Sequence, residues 1–230
     1  MPIHHQSSVP TKQSVEFLFL ASHGLLSPIA AIRWACNRLK RSDTRSLTLE
    51  QQELVTHIHS NAKVLSKLFG SMLLLARNED QTYSVRPEAI SIVELLAGEA
   101  KEWEEQEGGR TSLACAPHLK VRADSALLDV ILQNLFAVFA EASRTPRVLA
   151  IEAQQDDERV NISFTSAMEL PFLQSVRTVD RLSETRPVVG GTPGLLLSLA
   201  HSLISFLDGT LTMREVDADT YSIIAMLPGG

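Results

Sequence analysis

Two apolar runs near the start of the chain repeat in alternating steps of four and three residues, and this pattern limits the fold more than any other. Leu18, Ser22, Leu25, Ile29, Ile32, Cys36 and Leu39 form the first run; Leu54, Ile58, Asn61, Leu65, Leu68, Met72 and Leu75 form the second. Such steps keep one side of an α-helix apolar, as in a coiled-coil seam. Between the runs lies a polar break, Arg41-Ser42-Asp43-Thr44-Arg45-Ser46. Thr48 with Gln51 three residues on reads as a capping box that opens the second helix. The spacing predicts two long helices, each about 40 Å at 1.5 Å per residue, joined as an antiparallel hairpin. A lone hairpin cannot cover both seams. Two copies paired as a four-helix bundle would cover them; packing on the rest of its own chain is the alternative. Asn61 would then help fix register, at some cost in stability.

The segment Ala21-Ser22-His23-Gly24-Leu25-Leu26-Ser27-Pro28 interrupts the first run. Proline inside a helix removes a backbone hydrogen bond and kinks the rod. Histidine titrates nearest neutral pH and can act there as a nucleophile. His23 follows the seam position Ser22 by one residue, or about 100° around a helix, so its ring is expected on the flank.

From about Gln81 onward, strands and helices alternate. Expected elements are a strand over Tyr83–Arg86, then a helix from Ser91 to about Gln106 capped by Ser91 with Glu94. Short strands follow at Thr111–Ala114 and Leu119–Arg122, and Asp124 caps an apolar helix to Ala142. Val148–Ala153 and Val160–Thr165 read as an antiparallel pair around the turn Gln155–Glu158. Ser166 to Thr192 is irregular; a helix over Gly194–Leu207 and a terminal hairpin of Thr210–Val216 and Tyr221–Leu227 complete the pattern. Strands with helices on one side make a two-layer sandwich. The expected fold class is therefore α+β: a helical hairpin forming a dimeric four-helix bundle, then an α/β sandwich. The expected divisions are a tail over 1–13, the hairpin over 14–78 and the sandwich over 79–230.

Composition narrows the functional classes. With 44% hydrophobic residues, the 230-residue chain can bury a core. A net charge of −6 argues against a nucleic-acid surface. Cys36 and Cys115 lack metal-ligand spacing and read as small core residues of a reduced, cytoplasmic protein. No membrane span is expected: the longest apolar candidate, Leu195–Leu207, is short and contains His201. The first residues lack the order of a signal peptide. His57 and His59 are expected to face solvent, Trp34 and Trp103 to pack, and Glu102, Glu104, Glu105 and Glu107 to form a solvated helix end.

The order of elements resembles a sensor histidine kinase core over about Ser14 to Pro228. His23 with Pro28 is similar to that family's His box, Asp124 through Asn134 to its Asp–apolar–Asn run, and Gly190-Gly191-Thr192-Pro193-Gly194 to its second glycine box. The resemblance implies a phosphoacceptor His23, a hydroxyl at Ser27 for water positioning, and Asn134, Gly191 and Gly194 as vestigial nucleotide contacts. It also implies a response-regulator receiver domain as partner and pairing into a homodimer.

The sequence departs from the family in several places at once. Gly24 stands where a carboxylate usually orients the imidazole, and Leu26 replaces an Arg. Val138 replaces the second Asn, and a valine cannot ligate Mg²⁺. Glu141 reverses a phosphate-facing positive charge. The first glycine box, with its adenine-reading Asp, is replaced in the stretch Phe164-Thr165-Ser166-Ala167-Met168. Leu196 stands where a glycine would let backbone amides approach phosphate. The apolar stretch from Ala167 to Leu173 is expected to fold back over the pocket; docking a partner is the alternative. No cofactor is expected, with ATP and Mg²⁺ used only if the degenerate site still functions. Three functions compete: histidine phosphotransfer through His23, a non-catalytic adaptor, and an atypical ATP-dependent autokinase.

Overall fold

The computed structural model describes residues 29–39, 47–79, 83–168 and 191–230, except the side chains of residues 78 and 79. The chain divides into two units, Met1–Ser84 and Val85–Gly230.

In the first unit, residues 29–39 are helical (α1) and α2 spans Leu49–Glu79. The 31 residues of α2 make a rod of about 46 Å. Its start is built as expected: the Thr48 amide donates to Gln51 Oε1 (3.0 Å) and the Gln51 amide donates to Thr48 Oγ1 (3.2 Å). The seams behave less uniformly. Ile29 and Cys36 of α1 are buried, whereas Ile32 and Leu39 are exposed. On α2 the exposed residues include the seam positions Leu54, Ile58 and Leu65, and burial moves to Val55, Ala62, Ser71 and Ala76. Each helix thus carries two apolar stripes, and the first unit covers one of them. Asn61 is exposed and donates from Nδ2 to the His57 carbonyl one turn back (2.9 Å). His59 is half-buried, not solvent-facing as expected. Trp34 corrects another expectation: it is 64% exposed, with the Arg38 guanidinium 5.4 Å from its ring centre.

In the second unit the elements run β1 (Glu88–Ser91), α3 (Ile92–Glu107), β2 (Arg110–Cys115), β3 (Lys120–Ala123), α4 (Ser125–Ala142), β4 (Val148–Asp156), β5 (Arg159–Ala167), α5 (Gly191–Ile204), β6 (Thr210–Glu215) and β7 (Thr220–Pro228). A five-stranded sheet has the order β2-β4-β5-β7-β6, and β1 pairs separately with β3. Among the described strands β2 pairs with β4 in parallel, and the other pairs are antiparallel. Period-two burial fixes the inner face. Leu149, Ile151, Val160, Ile162, Phe164, Ile223, Ala225 and Leu227 are buried, with alternate residues less so.

α4 runs through the centre of this core and buries 11 of its 18 residues. Phe164 receives Phe136 edge-on at 5.6 Å and stacks with Phe139 at 6.1 Å. By length and mean hydropathy (1.4), α4 could cross a membrane, contrary to the expectation that no run qualifies. Its apolarity is accounted for by the core, where 61% of it is buried.

Several boundaries differ from expectation. The strand sought at Tyr83–Arg86 lies at Glu88–Ser91, where Ile90 comes opposite Val121. Ser91 ends that strand and makes no side-chain cap; the Ile92 amide instead donates to the Leu119 carbonyl (3.2 Å). The β4–β5 hairpin is longer than expected and turns at Asp157, in the left-handed region at φ 53°. α5 begins at Gly191, three residues before the expected start. Trp103 is buried as expected, and a Cβ on Gly109 would meet its ring at 2.3 Å. The acidic end of α3 is not simply solvated. Glu104 accepts from the Thr111 amide (2.6 Å) and hydroxyl (2.7 Å), which lowers its pKa, and Glu107 pairs with Arg147 at 3.7 Å.

Candidate functional site

His23 and Ser27, the expected phosphoacceptor and its neighbouring hydroxyl, lie outside the described residues. The second candidate region is the end of the sandwich where α4 and β5 finish and β7 begins.

Asp124 sets α4 in place. Its Oδ1 accepts from the amides of Ala126 (3.1 Å) and Leu127 (3.2 Å), satisfying two orphan donors of the first turn. Its Oδ2 accepts from the Arg86 amide (2.8 Å), tying the entry of the domain to its central helix. From this start the helical repeat puts Asn134, Val138 and Glu141 on one face. Asn134 and Val138 are fully buried. Glu141 is exposed, but its carboxyl is partly desolvated. That desolvation, then the Glu107 carboxylate, raises its pKa, and Arg147 offsets them only in part.

The stretch expected to hold a glycine-rich loop is ordinary strand. Ser166 and Ala167 belong to β5, and Met168 forms a bridge with Ser143. Ser166 is buried; its hydroxyl donates to the Val148 carbonyl (2.7 Å) and meets the Ser143 hydroxyl at 3.0 Å. Met168 is fully buried, which places the first described part of the apolar stretch inside the domain. Its continuation from 169 to 173 lies outside the described residues.

At the start of α5, Gly191 has φ 78°, a left-handed conformation that suits glycine. Gly194 is buried in the first turn, Leu195 is partly exposed and Leu196 is fully buried. The site residues Asn134, Gly191 and Gly194 are thus all in helices, but Asn134 is sealed and Gly194 is followed, after the exposed Leu195, by the packed Leu196 and Leu197.

These side chains do not fit a Mg²⁺–triphosphate. Mg²⁺ needs near-octahedral oxygen ligation, and the position one turn after Asn134 is a hydrocarbon. A carboxylate, Glu141, adds repulsion where a cation would neutralise phosphate. Among the described residues, no cluster of His, Cys, Asp and Glu could hold a metal ion. Cys115 is half-buried, and burial raises its thiol pKa, which makes it a poor nucleophile.

Sequence reasoning missed the exposure of Trp34. Trp34 could have been found from its position, five residues after the buried Ile29 and two before Cys36, away from their stripe.

Residues 14–81 match the His Kinase A (phospho-acceptor) domain. The fold is similar to that of full-length ShkA crystallised with AMPPNP, at TM-score 0.61 and 20% identity over 94% of this chain. This chain spans 46% of that protein's length. It is also similar to the histidine kinase AdeS of Acinetobacter baumannii (TM-score 0.56, 14% identity, 88% of this chain and 96% of that one). The mycobacterial sensor histidine kinase MprB gives TM-score 0.51 and 17% identity over 63% of this chain and 98% of its own. A comparison with curated protein sequences finds no match.

Proposed function

We propose that this chain, built as a sensor histidine kinase core, acts as a histidine phosphotransfer protein. In this reading His23 exchanges a phosphoryl group with the receiver domain of a response regulator, and ATP has no part. One observation carries the reading: Val138, Glu141, Met168 and Leu196 together remove what a Mg²⁺–triphosphate requires, while His23 and Pro28 stand inside the matched phosphoacceptor segment. A pseudokinase sandwich on a retained phosphoacceptor is the simplest combination of these two facts.

The chemistry asks little of this chain. A neutral imidazole nitrogen of His23 attacks the phosphorus of the receiver's aspartyl phosphate. The N–P bond forms, the P–O bond to the aspartate breaks, and a carboxylate leaves. The receiver supplies its own Mg²⁺ and acidic groups. Gly24 cannot orient the ring, so orientation falls to the docked partner. Ser27 offers a hydroxyl for positioning water in the hydrolytic direction.

Two surfaces support this reading. The exposed Ile32, Leu39, Leu54, Ile58 and Leu65 form the stripe that a second copy would cover, giving a homodimeric four-helix bundle. Trp34 and Arg38 lie on a different side of α1. The exposed Trp34 ring beneath the Arg38 guanidinium offers a partner a contact of its own. A cytoplasmic location belongs to the same proposal.

The test mixes purified protein with receiver domains carrying radiolabelled aspartyl phosphate. Label is expected on the wild type and none on His23→Ala. No label on the wild type, or equal label on both, sinks the proposal. Calorimetry with millimolar Mg–ATP is expected to show no binding; micromolar affinity would restore the autokinase. Gly24 and Leu26 favour a second reading, a non-catalytic adaptor that regulates a receiver or a histidine kinase by occupancy. It predicts partner binding unchanged in His23→Ala and no transfer.

A further inference from the structure

We propose that the sandwich closes its own degenerate site with a strap, Ser166–Met168, held shut by a latch and opposed by one buried hydroxyl. This rests on the reading that the site takes no nucleotide, and it supplies a physical cause for that: closure, in addition to lost contacts.

The latch joins three consecutive residues to three other parts of the domain. The Ser166 hydroxyl donates to Val148 O of β4 (2.7 Å) and so accepts from the Ser143 hydroxyl at the end of α4 (3.0 Å). The Arg144 amide donates to Ala167 O (3.0 Å). The Met168 amide donates to Asp219 O, in the turn before β7 (2.8 Å). Outside, the Arg144 guanidinium pairs with the Asp219 carboxylate, which ties two of these anchors to each other. A glycine-rich loop would leave the sheet here. This stretch instead stays in register with β7, with Ser166 opposite Tyr221 and Ala167 opposite Thr220, and Met168 is fully buried.

Tyr221 opposes the latch. It lies across from Ser166 and is 3% exposed, and among the described residues its hydroxyl has no hydrogen-bond partner. A buried hydroxyl deprived of water is costly, and most such groups in folded proteins are satisfied. Releasing the strap would let water reach it. The closed state is therefore a balance, in which the latch bonds favour closure and hydration of Tyr221 favours opening.

The balance predicts opposite responses from two substitutions in the same region. In full-length protein carrying Met168→Cys, thiol-reagent labelling is followed by mass spectrometry at residue 168, with Cys115 as internal reference. The introduced thiol is expected to react more slowly than Cys115. Adding Ser166→Ala should speed it about tenfold, the shift from losing one buried hydrogen bond. Adding Tyr221→Phe should slow it several-fold, because the pull toward water is gone. A thiol as reactive as Cys115, or no change with either substitution, or a change in the same direction with both, overturns the strap. If Ser166→Ala speeds Cys115 equally, the domain has loosened as a whole. Arg144→Ala, which cuts the latch at the surface, then decides: faster labelling at residue 168 alone supports the strap, and no change refutes it. Mg–ATP binding with the introduced thiol still protected would refute the nucleotide-free reading and, with it, closure of the site. A fast thiol without ATP binding would refute closure alone and leave the nucleotide-free reading standing.

Discussion

α2 and α4 make opposite use of their apolar residues. The 31-residue α2 buries Val55, Ala62, Ser71 and Ala76, all small or medium, and leaves Leu54, Ile58 and Leu65 exposed. The 18-residue α4 buries 11 of its residues, including Leu127, Leu128, Ile131, Leu132, Phe136 and Phe139. One helix is completed by its own domain. The other carries large hydrophobic side chains that its own unit leaves uncovered, as a helix does when a further surface is meant to meet it. Site chemistry divides the same way. The α2 unit carries the match to the phospho-acceptor domain, and α4 carries Asn134, Val138 and Glu141, the first two sealed in the core.

Charging the exposed stripe of α2 is expected to have the largest effect. A triple change of Leu54, Ile58 and Leu65 to Glu should cost about 5 kcal/mol of association free energy, from three large side chains that no longer bury. Sedimentation should then show a monomer at micromolar concentration, with sandwich melting unchanged. A triple variant that still pairs would show that the stripe serves something other than a second copy.

Phe164→Ala tests the other side. It removes the ring against which Phe136 and Phe139 pack, and should destabilise the sandwich by about 3–5 kcal/mol. The expected denaturation curve loses the sandwich transition early while the association of the helical unit is retained. Coupled loss of both would mean that the units are not independently completed.

Smaller effects probe how each helix starts. Asp124→Ala should cost about 2 kcal/mol, since one carboxylate caps α4 and holds the Arg86 amide. Thr48→Ala removes only an exposed capping box on α2 and should cost about 1 kcal/mol. Urea titrations that rank the two in reverse would contradict the larger structural role given to Asp124.

The smallest effect is electrostatic. The pKa of Glu141 is raised in the folded state, so folding favours its protonated form. That contribution is present below the unfolded carboxylate pKa and is lost as pH rises through the folded value. Near neutral pH the charged carboxylate is therefore a penalty. Glu141→Gln should raise the melting midpoint slightly at pH 7, with the gain shrinking in acid. A gain that grows in acid would reverse the assigned direction.

Local signals were the legible ones. Thr48 with Gln51, Asp124 before an apolar run, and the two hairpins of the sheet each depend on residues a few positions apart, and each is found. The missed features depend on distant partners. β1 forms at Glu88–Ser91 because Ile90 meets Val121 on another strand, which no local pattern reports. Parallel pairing of β2 with β4 requires α4 as the crossover between them. The candidate site was legible as a set of losses, since Val138, Glu141 and Leu196 can be recognised one at a time. The hydrogen bonds that join Ser166 and Met168 to Ser143, Val148 and Asp219 were not, because these residues are far apart in the chain.

Local sequence specifies the helices at residues 29–39 and Leu49–Glu79 and the alternation of strands and helices that follows. These come from periodicity and local hydrogen bonding, which act over one or two turns. The tertiary fold settles which stripe of α2 is covered, that Trp34 is exposed under Arg38, and that Met168 is buried just past the end of β5. Burial is a property of neighbours brought together from distant parts of the chain. The same leucine spacing serves an internal core or an open surface until the rest of the fold selects between them.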